Sequence, residues 1–361
     1  MSALFSSFRL KGVSLRNRIA VSPMCQYSAV DGVPNEWHLV HLGARAVGGA
    51  GLVIAEATAV SREGRITPGC AGLWNDVQGD AWAPIFAFVK RQGAAAGLQL
   101  GHAGRKASAN RPWEGDDHLP ASDPRAWVPV APSPIAFGGN LPRVPEEMSR
   151  ADMDRVQRDF VAAAKRALDI GVEWLELHFA HGYLASSFFS PLANKRPDEY
   201  GGSFDARARY PLELFTAVRA VWPERYPLTV RLGVSDFAPE SQPLEESIEL
   251  VRKLRERGLD LIDVSLGFNT PDVSRVPWGP AFMAPIAERI RREAAIATAV
   301  GWQVGEAERA ERIVASGQAD VVMLAHKELE DPHFPYHAAK ALGVASPQNV
   351  LPPQYAHWLK G

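Results

Sequence analysis

Short uninterrupted apolar runs alternate along this chain with longer stretches in which apolar residues recur every three or four positions. Eight of the short runs read as strands: Arg18–Ser22, Gly51–Ala55, Gly97–Leu100, Glu173–Leu177, Leu228–Leu232, Leu261–Ser265, Ile296–Val300 and Asp320–Leu324. Each is followed by a helical pattern: Glu36–Gly48, Asp76–Gln92, Ser149–Gly171, Pro211–Val221, Pro243–Arg257, Ala284–Ala294, Gly305–Ser316 and His333–Leu342. In the first helix Trp37, Val40, His41 and Ala44 are expected on one face. The third is the best marked, with Ser149 as N-cap, Asp152 three residues on and Gly171 as its stop. In the fourth, Pro211 is expected in the first turn. Apolar strands alternating with amphipathic helices imply a parallel sheet covered by helices, and eight such units favour a closed (β/α)8 TIM barrel of the α/β class over an open sheet. A single domain over residues 1–361 follows. No glycine-rich dinucleotide fingerprint follows any strand, which counts against a Rossmann fold.

One interval breaks the rhythm. Residues 104–148 show no convincing helix, and prolines recur from Pro112 to Pro145. Long structureless loops in compact domains are usually binding or covering elements. This one leaves the carboxyl end of the third strand, so it is expected to form a lid over the barrel mouth. Trp113, Trp127, Ile135 and Phe137 argue against a disordered linker, because such side chains need something to pack on.

Charge and cysteine usage narrow the function classes. A net charge of −2 argues against nucleic acid or an anionic membrane as the main partner. Cys25 and Cys70 are too few for a disulfide framework. The segment Met1–Phe5 has no charged start leading into an apolar run, and no apolar stretch is long enough to span a bilayer. A cytoplasmic protein is expected.

In a parallel barrel the chemistry gathers at the carboxyl ends of the strands. The fourth strand ends in His178-Phe-Ala-His181-Gly-Tyr183: two imidazoles that can donate to an oxygen and a phenol that can deliver a proton. A polar cluster, Asn194–Ser203, follows soon after. For one histidine a backbone-bonded core role would be the better reading; the clustering of three such groups favours a site. Elsewhere the strand ends offer Cys25, Gln99, Arg231, Gln303, His326 and Lys327, with few carboxylates. That set suits a flat, electron-accepting heterocycle carrying a phosphate. Gln99 can both donate to and accept from a pyrimidine-like edge. Arg231 places a fixed charge where a reduced flavin develops negative charge. Singly, each has a bland rival: Gln99 as a satisfied core amide, Arg231 as the partner of Glu56 or Glu176.

Several motifs together resemble the old yellow enzyme family of FMN-dependent ene-reductases, in its thermophilic-like and xenobiotic-reductase branch. They are Asn17–Tyr27, Glu56–Val60, Gly64–Thr67, Gln99–Lys106, His178–Leu184 and Asn194–Ser203, and the resemblance runs from about residue 4 to about residue 358. It implies a (β/α)8 barrel, bound FMN, and NADPH or NADH as reductant. The implied substrates are activated alkenes, chiefly α,β-unsaturated carbonyls, with nitro compounds as a further class. By position, it implies that Pro23, Met24, Cys25, Ala57, Gln99 and Arg231 contact the isoalloxazine and ribityl parts of FMN. Gly301, Trp302, Gln303, Ala325 and His326 would lie at its phosphate. His178 and His181 would bind the substrate oxygen, Tyr183 would be the proton donor and Tyr27 would line the pocket. Trp358 would complete the pocket of a neighbouring subunit, in a homodimer or homotetramer. One departure stands out. Where the family places Gly-Arg on the phosphate, this chain reads Ala325-His326-Lys327. A histidine's charge depends on pH near neutrality and an arginine's does not. FMN affinity is therefore expected to weaken as pH rises through neutrality; titrating apo-protein with FMN at several pH values checks this, and a flat profile counts against His326. Two other readings are kept open: a metal-dependent barrel hydrolase with His178 and His181 as ligands, and a non-catalytic FMN-binding protein.

Overall fold

Eight parallel strands close into a barrel, paired in chain order with the eighth returning to the first. They are β1 (Ile19–Val21), β2 (Leu52–Ala59), β3 (Ala95–Gly101), β4 (Trp174–Phe179), β5 (Leu228–Ser235), β6 (Leu261–Leu266), β7 (Ala297–Val300) and β8 (Val321–Leu324). The computed structural model describes residues 2–360. The expected fold class is therefore the observed one. Around the barrel lie α1 (Glu36–Gly48), α2 (Asp76–Arg91), α3 (Arg150–Asp169), α4 (Leu184–Phe189), α5 (Phe204–Arg219), α6 (Leu244–Arg255), α7 (Ala284–Ala294), α8 (Ala307–Ala315), α9 (His326–Glu330) and α10 (Phe334–Ala341). Ahead of β1 a hairpin pairs Phe8–Leu10 with Val13–Leu15. The main core lies between barrel and helices, with Trp82, Phe86, Phe160, Phe188 and Phe215 among its buried side chains.

Four elements differ from expectation, each for a physical reason. Helix α5 starts at Phe204, capped by the Ser203 hydroxyl, so Pro211 lies inside the helix and not in its first turn. A side-chain cap eight residues upstream outweighs the preference of proline for a helix start. In α1 the buried face carries His38, His41, Leu42, Arg45 and Ala46, while Trp37 and Val40 are 55% and 64% exposed. Two of the polar side chains on that face have something to meet: the Arg45 guanidinium donates to the His41 carbonyl at 2.5 Å and His38 Nε2 lies 3.3 Å from Glu56. The short helices α4 and α9 were absent from the sequence pattern because neither spans two full turns.

Residues 104–148 fold as short turns, Gly104–Lys106 and Pro112–Glu114, and a two-stranded sheet joining Val130–Ala131 to Glu146–Glu147. Trp127 donates to the Glu63 carbonyl at 2.9 Å, and Arg143 donates to the Trp127 carbonyl at 2.9 Å. These contacts tie the segment to the loop after β2.

Glu328 of α9 is buried without a hydrogen-bond partner among the described residues, and burial pushes its carboxyl up to about 8, with the Arg45 guanidinium pulling the other way. An unfolded glutamate titrates near ~4.3. Between these values the folded chain holds a proton that the unfolded chain has lost. The stability tied to this group is thus fully present below ~4.3 and lost as pH rises through about 8. Glu328→Gln stays neutral and is expected to flatten this part of the stability profile of the apo-protein. Urea midpoints at acidic and alkaline pH check it, and equal slopes in both proteins contradict it.

Candidate active site

β4 delivers His178 near its end, and the chain then turns sharply through His181 and Gly182, at φ 60° and 69°. A Cβ at position 182 would lie 2.2 Å from the Phe268 carbonyl oxygen, so glycine is required there. The turn folds the His181 ring back against His178, centroids 4.9 Å apart at 81°. Tyr183 opens α4 with its ring 4.9 Å from His178 and 6.4 Å from His181. The three groups singled out in the sequence therefore form one cluster.

Hydrogen bonds fix how the imidazoles point. The Ala180 N–H donates to His178 Nδ1 at 3.3 Å, so the ring proton sits on Nε2. His181 Nε2 lies 2.9 Å from Ser265 Oγ, which also accepts from Trp302 Nε1 at 3.3 Å. The arrangement that satisfies all three has the Ser265 hydroxyl donating to His181 Nε2, leaving the His181 proton on Nδ1. Burial, then the Arg231 charge, hold both imidazoles well below their ordinary range, so both are neutral donors. Burial likewise holds the Tyr183 phenol well above its usual value, keeping its proton in place.

Next to this cluster, β2, β3 and β5 present a second set. A bulge at Glu56 resets the register so that Ala57 stands beside Gln99. Gln99 Nε2 donates to Glu176 at 2.8 Å. Arg231 Nε lies 3.1 Å from Asp263 and its Nη1 donates to Ser22 Oγ at 3.2 Å. Arg231 therefore pairs with Asp263, not with Glu56 or Glu176. Burial pushes Glu176 up to about 8 and Asp263 up to about 6, the latter opposed by Arg231. Glu56 instead faces His38 and accepts from the Gln26 N–H at 3.1 Å, which braces the loop carrying Pro23, Met24 and Cys25. Burial, then Glu56, raise the Cys25 thiol well above its ordinary value, so it stays protonated. Tyr27 sits at φ 50° with its ring edge-on to Trp113 at 5.9 Å. A braced amide and guanidinium beside an alanine suit the pyrimidine edge of a flavin: they offer a donor, an acceptor and a fixed positive charge to a flat ring.

Gly301, Trp302 and Gln303 follow β7, with Trp302 and Gln303 at φ 69° and 54°. Ala325 and His326 open α9 after β8. The two loops touch, since a Cβ on Gly305 would lie 2.7 Å from Lys327 Cβ. Lys327 Nζ meets Glu330 at 3.0 Å, so its charge is directed along α9. The Trp302 ring joins an aromatic wall with Phe268, Trp278 and Phe282, centroids 5.7, 5.8 and 6.2 Å away, and stands 6.3 Å from His181. It thus faces the histidine side, and not only the loop after β7 from which its position was read. Trp358 lies apart, 81% exposed with its ring against His357.

Ser265, Asp263 and Lys106 were missed as partners of the site. Ser265 and Lys106 were visible at strand ends and Asp263 inside the sixth strand; what the chain alone withheld was the cross-strand neighbour. The hydrolase reading needed further ligands around His178 and His181, and among the described residues no three His, Cys, Asp or Glu side chains converge on one point. No helix among the described residues is long and apolar enough to cross a membrane.

A barrel whose mouth joins neutral imidazole donors, a phenol and a flavin-shaped donor set defines a flavin-dependent oxidoreductase. Residues 3–344 match the NADH:flavin oxidoreductase / NADH oxidase family. An NADPH dehydrogenase of Geobacillus sp. (strain WCH70) is 42% identical over 349 residues, 96% of each chain. Morphinone reductase in complex with tetrahydroNAD superposes with TM-score 0.79 at 26% identity, over 95% of this chain and 91% of that one. The old yellow enzyme homologue from Zymomonas mobilis shares the fold, with TM-score 0.76 at 23% identity over 99% of each chain. This chain belongs to the NADH:flavin oxidoreductase / NADH oxidase family, the old yellow enzyme family, whose cofactors are FMN and a nicotinamide dinucleotide.

Proposed function

We propose that this protein is an FMN-dependent ene-reductase acting on activated alkenes, chiefly α,β-unsaturated carbonyls and also nitro compounds, with Tyr183 as proton donor. The observation that carries the reading is the cluster of His178, His181 and Tyr183, with both imidazoles neutral and the phenol protonated. FMN, when bound, supplies two-electron chemistry between NADPH or NADH and the alkene. Gln99, Arg231, Ala57 and the Pro23–Cys25 loop would hold its ring, and Gly301, Gln303, Ala325 and His326 its phosphate.

The chain's own residues do the rest. His178 Nε2–H and His181 Nδ1–H receive the substrate's carbonyl oxygen between them. Negative charge grows on that oxygen as the β carbon is reduced, so these donors bind the transition state more tightly than the ground state. Tyr183 then gives its proton to the α carbon. Tyr27 lines the pocket, and the wall of Trp302, Phe268 and Trp278 excludes water. Segment 104–148 acts as a lid over this mouth. NADPH as reductant is supported by the relatives of that name. The exposed Trp358 belongs, on this reading, in the pocket of a second subunit of a homodimer or homotetramer.

Product analysis tests the reading. Under anaerobic conditions with FMN-loaded protein, one cyclohexanone is expected per NADPH consumed in the presence of cyclohexenone. NADPH oxidation without saturated ketone contradicts it, and would favour flavin binding without this chemistry.

A further inference from the structure

We propose that Lys106 is a positioning residue for alkene reduction, an ammonium clamp that joins segment 104–148 to the turn carrying His181. The inference rests on the ene-reductase reading above and adds to it a device that holds and charges the donor pair.

Lys106 lies just beyond β3, in the turn Gly104–Lys106. Its Nζ donates to the His181 carbonyl at 2.8 Å. Its Cε would stand 2.9 Å from a Cβ on Gly182, so the stem of the side chain runs along the left-handed turn. A histidine held at φ 60° is strained and persists only where neighbours fix it. The bond from Lys106 to the carbonyl of that same residue is such a restraint. On its other side the ammonium lies 4.0 Å from the centre of the Phe137 ring, with the Arg105 guanidinium 5.6 Å from the same ring. Arg105 donates to the Ile135 and Ala136 carbonyls, both at 3.3 Å, and to the Asn269 carbonyl at 2.5 Å. One lysine thus couples the position of the proline-rich segment to the orientation of a substrate-oxygen donor.

The same ammonium adds potential where the reaction needs it. The groups facing it are Arg105 on its own turn, Asp116 in the insertion, Asp236 after β5, and His178, His181 and Tyr183. With both imidazoles neutral, Lys106 and Arg231 are the cations acting on the substrate oxygen. Burial, then Arg105, bring the ammonium down to about 7, with Asp236 and Asp116 opposing. Below that value the charge is present, and it is lost as pH rises through it. A neutral amine still donates to the His181 carbonyl, so pH removes the charge while leaving the clamp, whereas Lys106→Met removes both.

The test uses FMN-loaded wild type, Lys106→Met, Lys106→Arg and Lys106→Gln, with flavin reduction by NADPH and reoxidation by cyclohexenone followed separately. Reoxidation in Lys106→Met is expected to slow by about tenfold to a hundredfold, less than the loss of a direct oxyanion donor, while reduction by NADPH changes by less than about threefold. Wild-type reoxidation is expected to fall as pH rises through about 7, and Lys106→Arg to restore most of the rate without that fall. Should Lys106→Met not fold, Lys106→Gln, which keeps a donor and loses the charge, is expected to be slow below pH 7 and to lack the fall. Reoxidation of Lys106→Met at the wild-type rate, equal losses in both half-reactions, or an unchanged profile in Lys106→Arg overturns the proposal. If the wild type reduces no alkene, the ene-reductase reading fails, and the clamp is read from 4-chlorophenolate binding to the oxidised protein. A loss of about fivefold or more in Lys106→Met upholds it, since charge-assisted donors to an anion carry at least that much; unchanged binding overturns it.

Discussion

Tyr183→Phe is expected to slow reduction of cyclohexenone by ~10²–10⁴ while reduction of the flavin by NADPH proceeds at close to its normal rate, because the variant removes one acidic proton and little else. The phenyl ring keeps the edge contact with His178 at 4.9 Å, and α4 keeps its start. The donor pair is untouched, so substrate is expected to bind as in the wild type, with its oxygen between His178 and His181. Only delivery of the proton to the α carbon is lost. Stopped-flow measurement of the two half-reactions separates the steps. Equal loss in both would show that Tyr183 supports the site's architecture, and unchanged alkene reduction would show that water or another group delivers the proton.

Arg231→Met is expected to be the most damaging single change to the cofactor side. It removes the proposed charge at the flavin's pyrimidine edge and strips Asp263 of its partner. Asp263 is buried and lies 3.1 Å from Arg231, with Glu176 nearby. Breaking a buried pair by deleting one partner costs ~3–5 kcal/mol, because the remaining charge has lost its compensation. The sign with pH follows from Asp263, whose carboxyl sits at about 6 with Arg231 in place. Without the guanidinium it rises further, so the variant's deficit grows as pH climbs above about 6 and shrinks in acid. The double variant Arg231→Met/Asp263→Asn should recover most of the stability in urea. It should still bind FMN weakly and be reduced slowly by NADPH. Recovery of FMN binding along with stability would show that Arg231 serves the barrel and not the flavin.

Much of this was legible in the chain. The barrel followed from eight apolar runs, each trailed by a helical pattern, because strand and helix periods differ. The donor cluster followed from spacing, since His178, His181 and Tyr183 leave one strand within six residues. What was not legible is what neighbouring strands contribute to one another. Arg231 had Glu56 and Glu176 as its acidic candidates in sequence, and it is the register of β5 on β6 that sets it beside Asp263 instead. Lys106 read as part of a motif, yet its role depends on Phe137 thirty-one positions away and on a carbonyl across the barrel mouth. The buried face of α1 was misassigned because apolarity alone pointed to Trp37 and Val40, whereas the Glu56 that faces His38 is brought to it only by the folded barrel.

On the proposed reading this barrel mouth holds FMN beneath paired imidazoles that receive an alkene's activating oxygen. The absorbance of FMN-loaded protein in the absence of oxygen reports on this at once. NADPH should bleach the yellow flavin band, and cyclohexenone should restore it within seconds. A protein that takes up no FMN, or whose colour returns only when oxygen is admitted, would contradict the account.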